Sequence, residues 1–451
     1  MSAVPSVEAD DALQRAAYAK VSWRLLPMLF LCYVLAYLDR VNVGFAKLQM
    51  LEDLAWSDAV FAAGAGIFFI GYFLFEVPSN LILSRVGARL WIARIMVTWG
   101  IISACTLFVR SETVFYAMRL LLGLAEAGFF PGIILYLTYW YPSRLRARKT
   151  AWFMLAIAVT GVIGNPVSGW IMEALSGRCG LAGWQWLFLM EGVPSIVAGV
   201  VVYLYLDSGI DEARWLTAGE KAVLKRNLAS DDRHKSHASL ADAFRSGRVW
   251  LLSAVYFCLM IGLYGVGFWL PTIVHRLGVE GYLRIGLTSA IPYGAAAVGM
   301  IILSRRSDLT GERRWHTALT SFAGGSGLIL CGLTADNPPL SIACLSLGTL
   351  GILASLPLFW TLPTGFLAQA AAAAGIGIVN SVGNLGGFVG PNITTWIRSA
   401  WPDPSAPLYV IGAVLFLAGL MVLVLVPRPP ALAAVPAADL AVADPPSPND
   451  Q

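Results

Sequence analysis

The feature that most constrains this chain is the recurrence, along almost its whole length, of apolar runs long enough to cross a bilayer. A spanning helix needs about 20 residues. Divided by Gly, Pro and charge, the runs fall near 21–46, 57–83, 88–109, 113–140, 147–174 and 184–207. A second set falls near 247–275, 284–305, 315–335, 339–367, 372–400 and 405–427. The predicted fold class is therefore an all-α membrane protein, with twelve transmembrane helices in two six-helix bundles. Composition agrees, because 57% hydrophobic and 13% charged residues over 451 positions lie outside the range of a soluble domain.

Between and around the runs the sequence changes character. Residues 1–20 are polar and acidic, without a signal peptide, and read as a cytoplasmic segment before a first bundle at 21–207. Residues 208–246 carry both charge signs and read as a cytoplasmic connector to a second bundle at 247–427. The Pro/Ala-rich stretch 428–451 is expected to be a disordered cytoplasmic tail. The six cysteines show neither paired nor metal-ligand spacing, so they read as small core residues and no metal is expected. A net charge of +4 gives no argument for nucleic acid. The lipid bilayer is the expected partner, and the chain is expected to act as a monomer.

Basic residues concentrate on cytoplasmic loops of membrane proteins. With the N-terminus inside, the short inner loops hold eleven Lys and Arg, including Arg85, Arg89, Arg144, Arg146, Arg305 and Arg314. The outer loops hold six: Lys47, Arg110, Arg178, Arg276, Arg284 and Arg398. This bias and the even helix count predict a multi-pass membrane protein with both termini cytoplasmic.

Few ionisable residues lie well inside the runs, away from their ends: Asp39, Arg40, Glu76, Arg119, Glu126 and Glu191. Charges there are costly and usually face a polar cavity or pair with one another. Arg40 and Arg119 each lie about six residues from the outer ends of the first and fourth helices, about 9 Å in at 1.5 Å per residue. Two guanidinium groups at one depth suit an organic carboxylate, which their planar forks bind in bidentate fashion. Glu126 follows Arg119 by two turns on the same face, with Gly123 between them expected to leave a groove. Tyr33, Tyr37, Arg40 and Gly44 form a similar stripe on the first helix, while Asp39 points about 100° away from Arg40. One reading gives the acids a proton and the arginines the anion, so that binding and protonation are linked. The other makes Asp39 with Arg119, or Glu126 with Arg40, static pairs that fix two helices. For Glu76, just before Pro78, and for Glu191, gating or helix-end contacts are expected rather than substrate contact.

The segments "YLDRVNVGFA", "GYFLFEVPSNLIL", "RLLLGLAEAGFFPG", "WQWLFLMEGVPS", "SDLTGERRWH" and "GIVNSVGNLGGFVGP" resemble the major facilitator superfamily over roughly residues 20–427. Within it they resemble the anion:cation symporter branch of phthalate, tartrate, hydroxyphenylacetate, nicotinate and sugar-acid permeases. Such transporters are built from parallel six-helix repeats, and "SNLILSRVGARLWIAR" and "ILSRRSDLTGERRWH" here look like equivalent turns. The resemblance implies proton-coupling roles for Asp39 and Glu126, with Arg40 and Arg119 near substrate. Tyr72, Trp360 and Asn380 are then expected to face the central site, with Tyr37, although Trp360 reads equally well as a core residue. Gating contacts are expected at Asp308, Gly311 and Arg313, with Arg89 in a weaker first-half turn that has Asn80 and Ser84 where the family pattern has Gly and Asp.

The resulting expectation is a transporter, not an enzyme, that imports a small organic anion by proton symport with alternating access. No cofactor is expected beyond the proton as coupling ion. The inner half of the fifth helix, "AWFMLAIAV", offers no amide or hydroxyl for a polyol acid, which favours an aromatic carboxylate such as phthalate, with tartrate next. An uncoupled facilitator is the alternative mechanism. No activated nucleophile in the spans supports a membrane enzyme, and the connector and tail are too short for a receptor's signalling domain.

Overall fold

The structure, a computed structural model, describes residues 7–232, 240–366 and 369–426. The expected tail at 428–451 and the connector histidines His234 and His237 lie outside the described residues. The first half runs α1 (Val7–Val41) and α2 (Val43–Asp53) as one span, then α3 (Asp58–Val86), α4 (Ala88–Cys105), α5 (Glu112–Glu126) with α6 (Phe129–Thr138), α7 (Ser143–Ala174) and α8 (Gly183–Tyr205). The connector holds α9 (Ala218–Asp232) and α10 (Leu240–Arg245). The second half runs α11 (Gly247–Arg276), α12 (Tyr282–Thr310), α13 (Arg314–Leu333), α14 (Pro338–Phe366), α15 (Gln369–Asn384) with α16 (Gly386–Ala400), and α17 (Ala406–Leu425). Ten of these spans are long and apolar enough to cross a membrane by length and composition. Glycine and polar residues dilute α13 and α15–α16, which complete the set of twelve.

Local chemistry sets the boundaries. The Ser57 and Ser111 side chains accept hydrogen bonds from the N–H groups of Val60 and Val114, each at 3.4 Å, and Asp58 and Glu112 then begin their helices. Both features answer the free N–H groups and positive end of a helix N-terminus. Gly87 at φ +92° and Gly311 at φ +66° make the two equivalent turns seen in the sequence, in backbone that an L side chain rarely adopts. The first helix starts at Val7 rather than near Val21, because "EADDALQRAAYAK" is made largely of good helix formers. Its polar extension carries the connector: Lys20 pairs with Glu220 at 2.6 Å, Arg226 pairs with Asp10, and Asn227 donates to Tyr18.

Small residues let the helices approach closely, as expected where lipid supplies no hydrophobic drive between them. The contacts repeat between the halves. Gly100 of α4 lies against Gly192 of α8, and Gly325 of α13 lies against Gly412 of α17. Third with sixth span is thus matched by ninth with twelfth.

We call the end of the bundle that carries α9 and the start of α1 the terminal end, and the opposite end distal. The halves meet along a seam formed by α7 with α12, α3 with α16, and α2 with α11. Gly286 abuts the Asn165 carbonyl, Gly44 abuts the Phe268 carbonyl, and Asn392 donates to the Ala62 carbonyl at 3.1 Å. These contacts lie in the distal half. Deeper in, Glu76 accepts from Asn380 Nδ2 at 2.5 Å and from Ser381 Oγ at 2.9 Å, joining the halves again.

A Cβ added at Gly351 of α14 would lie 2.2 Å from the Gly324 backbone nitrogen, whereas one at Gly294 meets nothing within 4 Å. Gly351→Val should lower thermal stability in detergent, by roughly 1–3 kcal/mol or more for overpacking, and Gly294→Ala should not; equal melting temperatures would contradict this packing.

Candidate functional site

A cavity of about 20 Å³ sits in the seam, lined from the first half by Tyr33, Arg40, Tyr72, Phe130, Met154 and Ile157. The second half contributes Tyr256, Met260, Leu263, Tyr264, Leu356, Asn380 and Asn384. That volume holds about one water, so an organic molecule enters only when the halves separate. A larger hollow of about 320 Å³ opens at the terminal end, lined by Thr138, Ser208, Asp211 and Lys225 among others. Asp211 already pairs there with Lys225, and none of the buried charges of the spans reaches it.

Arg40 organises the cavity. Its Nε donates to Glu126 Oε1 at 3.0 Å, Nη2 donates to the same oxygen, and Nη1 donates across the seam to the Tyr264 hydroxyl at 2.8 Å. Arg119, only 1% exposed, donates through Nε to the Gly64 carbonyl at 3.3 Å, while its Nη1 and Nη2 have no partner. Both guanidinium carbons lie over the Phe68 ring, at 5.4 and 5.1 Å from its centroid. The two arginines thus meet at one level, as their positions in the sequence imply. One has its charge answered, and the other keeps four buried N–H bonds unanswered.

The acids are arranged differently. Asp39 accepts from Trp99 Nε1 at 3.0 Å, Ser103 Oγ at 2.7 Å and Ser195 Oγ at 2.5 Å, all within the first half. It pairs with neither Arg40 nor Arg119, whereas Glu126 does pair with Arg40. Glu191 accepts from Ser168 at 2.6 Å inside the first half, and Glu76 crosses the seam at the cavity's edge. Asp39 needs its tertiary neighbours to be legible: serines on α4 and α8 carry no mark in the sequence that assigns them to it.

Several expectations take a different form. Gly123 leaves no groove, because the Phe68 carbonyl of α3 would lie 2.0 Å from an added Cβ. Tyr37 is buried near Tyr293 of α12 and Gly267 of α11 and does not line the cavity. Trp360 stands behind the wall, edge-on to Tyr256 at 4.9 Å. Arg89 donates to the Tyr203 carbonyl at 2.5 Å, and Arg313 pairs with Asp308 at 2.5 Å beside Gly311. These contacts stay within one half, so none of them joins the halves here. The sequence reading missed Phe68, Tyr256 and Tyr264, because an aromatic in a spanning helix gives no sign of which neighbour it meets.

The sequence matches the model of the Major Facilitator Superfamily over residues 29–391. The chain belongs to this superfamily of transporters. It is 45% identical to "Putative metabolite transport protein NicT" of Pseudomonas putida, over 91% of this chain and 94% of the relative. It is 46% identical to a "Putative tartrate transporter" of Agrobacterium vitis, over 92% and 96%. Among solved structures it resembles the xylose transporter XylE of E. coli in a partially occluded inward-open conformation, at TM-score 0.71 and 13% identity, over 90% of this chain and 98% of that one. It also resembles a bacterial Spinster homologue in an inward-facing, occupied conformation, at TM-score 0.70 and 16% identity, over 88% and 95%. These two likenesses establish the twelve-helix, two-bundle fold of this superfamily member.

Tyr264→Phe removes the hydroxyl that answers Arg40 across the seam. A buried hydrogen bond to a charged group contributes about 1.5–3 kcal/mol, so this variant should melt lower than the parent in detergent. An unchanged melting temperature would show that Arg40 does not depend on α11.

Proposed function

We propose that this superfamily member is a secondary active importer of an organic carboxylate, coupled to protons and working by alternating access. The observation that carries the reading is Arg119, a fully buried guanidinium with two unpartnered NH2 groups beside Arg40. Buried donors are nearly always satisfied, and an incoming carboxylate is the group that fits a planar fork. The names of the tartrate relatives support an organic acid as cargo.

The exchange of partners supplies coupling. A substrate carboxylate that takes the Arg40 fork displaces Glu126, which then accepts a proton instead of standing as an uncompensated buried anion. Asp39, held by three neutral donors and no cation, is the second proton position, and its isolation from the arginines lets it load separately. The excess of Lys and Arg on the loops of the terminal end supports a cytoplasmic position for that end, with the distal end facing outward from a bacterial inner membrane.

The substrate follows from the wall. The fifth span contributes only Met154 and Ile157, but Tyr72, Tyr256 and Tyr264 bring hydroxyls and Asn380 and Asn384 bring amides. This favours a small hydroxylated dicarboxylate such as tartrate, whose two carboxylates meet two arginines. The stacked faces of Tyr33 and Phe153 at 4.3 Å, continued by Phe130, support an aromatic carboxylate such as phthalate as the second reading.

In proteoliposomes, uptake should acidify the lumen in step with substrate; uptake indifferent to the proton gradient would leave an uncoupled facilitator. Arg119→Ala should lose binding of tartrate and phthalate alike in a thermal-shift panel. Asp39→Asn should keep exchange of internal for external substrate but lose accumulation against a gradient, and accumulation at the parental level would remove Asp39 from the coupling.

A further inference from the structure

At the distal mouth of the seam one carboxylate faces three cations. Asp58, the first residue of α3, pairs with Lys47 of α2 at 2.9 Å, Arg398 of α16 at 3.1 Å and Arg276 of α11 at 3.7 Å. Half of the six basic residues expected at this end of the molecule therefore converge on a single acid. Three other carboxylates at this end are engaged elsewhere: Asp53 accepts from Trp184, Glu173 from the Leu283 N–H, and Asp403 from the Ser405 N–H. The cluster thus keeps an excess of positive charge. Lys47 is deeply placed, its side chain 4% exposed, with Nζ 3.4 Å from the Trp269 centroid and 3.4 Å from Thr272 Oγ1.

Like charges brought this close repel unless an anion lies between them. The start of α3 adds the positive end of a helix at the same point. In this closed mouth Asp58 holds the anion position. Asp58 and Lys47 belong to the first half, and Arg276 and Arg398 to the second, so opening the mouth takes both arginines away from the one acid they pair with among the described residues. Two guanidinium groups would then stand at the entrance with their charge unanswered.

We propose that Arg276 and Arg398 form an entry site for the substrate carboxylate, and that Asp58, held on the opposite side by Lys47, is a tethered carboxylate that competes for it and closes the mouth. The proposal rests on the reading that an organic anion enters from this end. It assigns the cluster two linked tasks. The cations draw an anion to the open mouth by a field that salt screens over about 10 Å at 0.1 M. Once the anion has moved inward to Arg40 and Arg119, Asp58 takes its place and seals the path behind it.

The test compares initial uptake of tartrate from the distal side by intact cells, as KM and maximal rate at low and high ionic strength. For Arg276→Gln with Arg398→Gln, KM should rise about two- to fivefold, the scale of a half-exposed ion pair, and the salt dependence of KM should fall. For Asp58→Asn, KM should fall by a similar factor because the competitor is gone, while the maximal rate drops because the mouth closes poorly. Opposite movements of KM are the signature. A cluster that is only a structural latch loses the same bridge in both variants, so KM would move the same way in both, and that result overturns the proposal. If the double variant fails to fold, Asp58→Asn decides alone: a raised or unchanged KM overturns the entry site. Absence of tartrate and phthalate uptake by the parent protein would instead refute the transport reading on which the proposal stands.

Discussion

The structure depends on how the Arg40 charge is answered inside an apolar bundle. A charged side chain at the centre of a spanning helix costs about 2.5–3.5 kcal/mol even by insertion scales. Here Glu126 of the fourth span and Tyr264 of the seventh answer it, so one guanidinium draws together three spans and both halves. Breaking such a buried pair leaves an uncompensated charge, which is strongly destabilising. On the proposed reading, a ligand that offers its own carboxylate would relieve that penalty as it displaces Glu126. The contact that fixes the closed centre would then also be the contact a substrate replaces.

The seam repeats this logic at a second level. Around Arg40 it is narrow and aromatic; at the distal mouth it is closed by glycine contacts such as Gly44 against the Phe268 carbonyl and by Asp58 among its three cations. Each bundle keeps its own glycine-packed interior at Gly100–Gly192 and Gly325–Gly412, whereas the halves touch through small residues and polar contacts. Strong packing within each half and replaceable polar contacts between them would suit the alternating access proposed above.

Much of this was legible in the sequence. The spans fell where the apolar runs ended, Gly87 and Gly311 marked the paired turns, and the common depth of Arg40 and Arg119 followed from helix rise alone. The separation of Asp39 from Arg40 followed from the 100° step between neighbours on a helix. What escaped was each partner from another span. Gly123 read as a groove and proved to be a contact surface for the backbone at Phe68, since the pattern of one helix does not tell whether a small residue faces space or a neighbour. Lys47, Arg276 and Arg398 read as ordinary loop charges and Asp58 carried no mark, because their convergence depends on how two halves meet more than 200 residues apart in the chain.

The sequence by itself determined that this chain crosses a membrane twelve times, repeats its architecture once and buries a small set of charges at defined depths. These properties follow from local hydropathy, helix periodicity and turn chemistry. Only the tertiary structure decided that Arg40 is paired and Arg119 is not, that Asp39 is held by neutral donors, and that Asp58 sits among cations of both halves. The physical reason is that a helix fixes the depth and direction of a side chain, whereas its electrostatic partner is chosen by the packing of other helices against it.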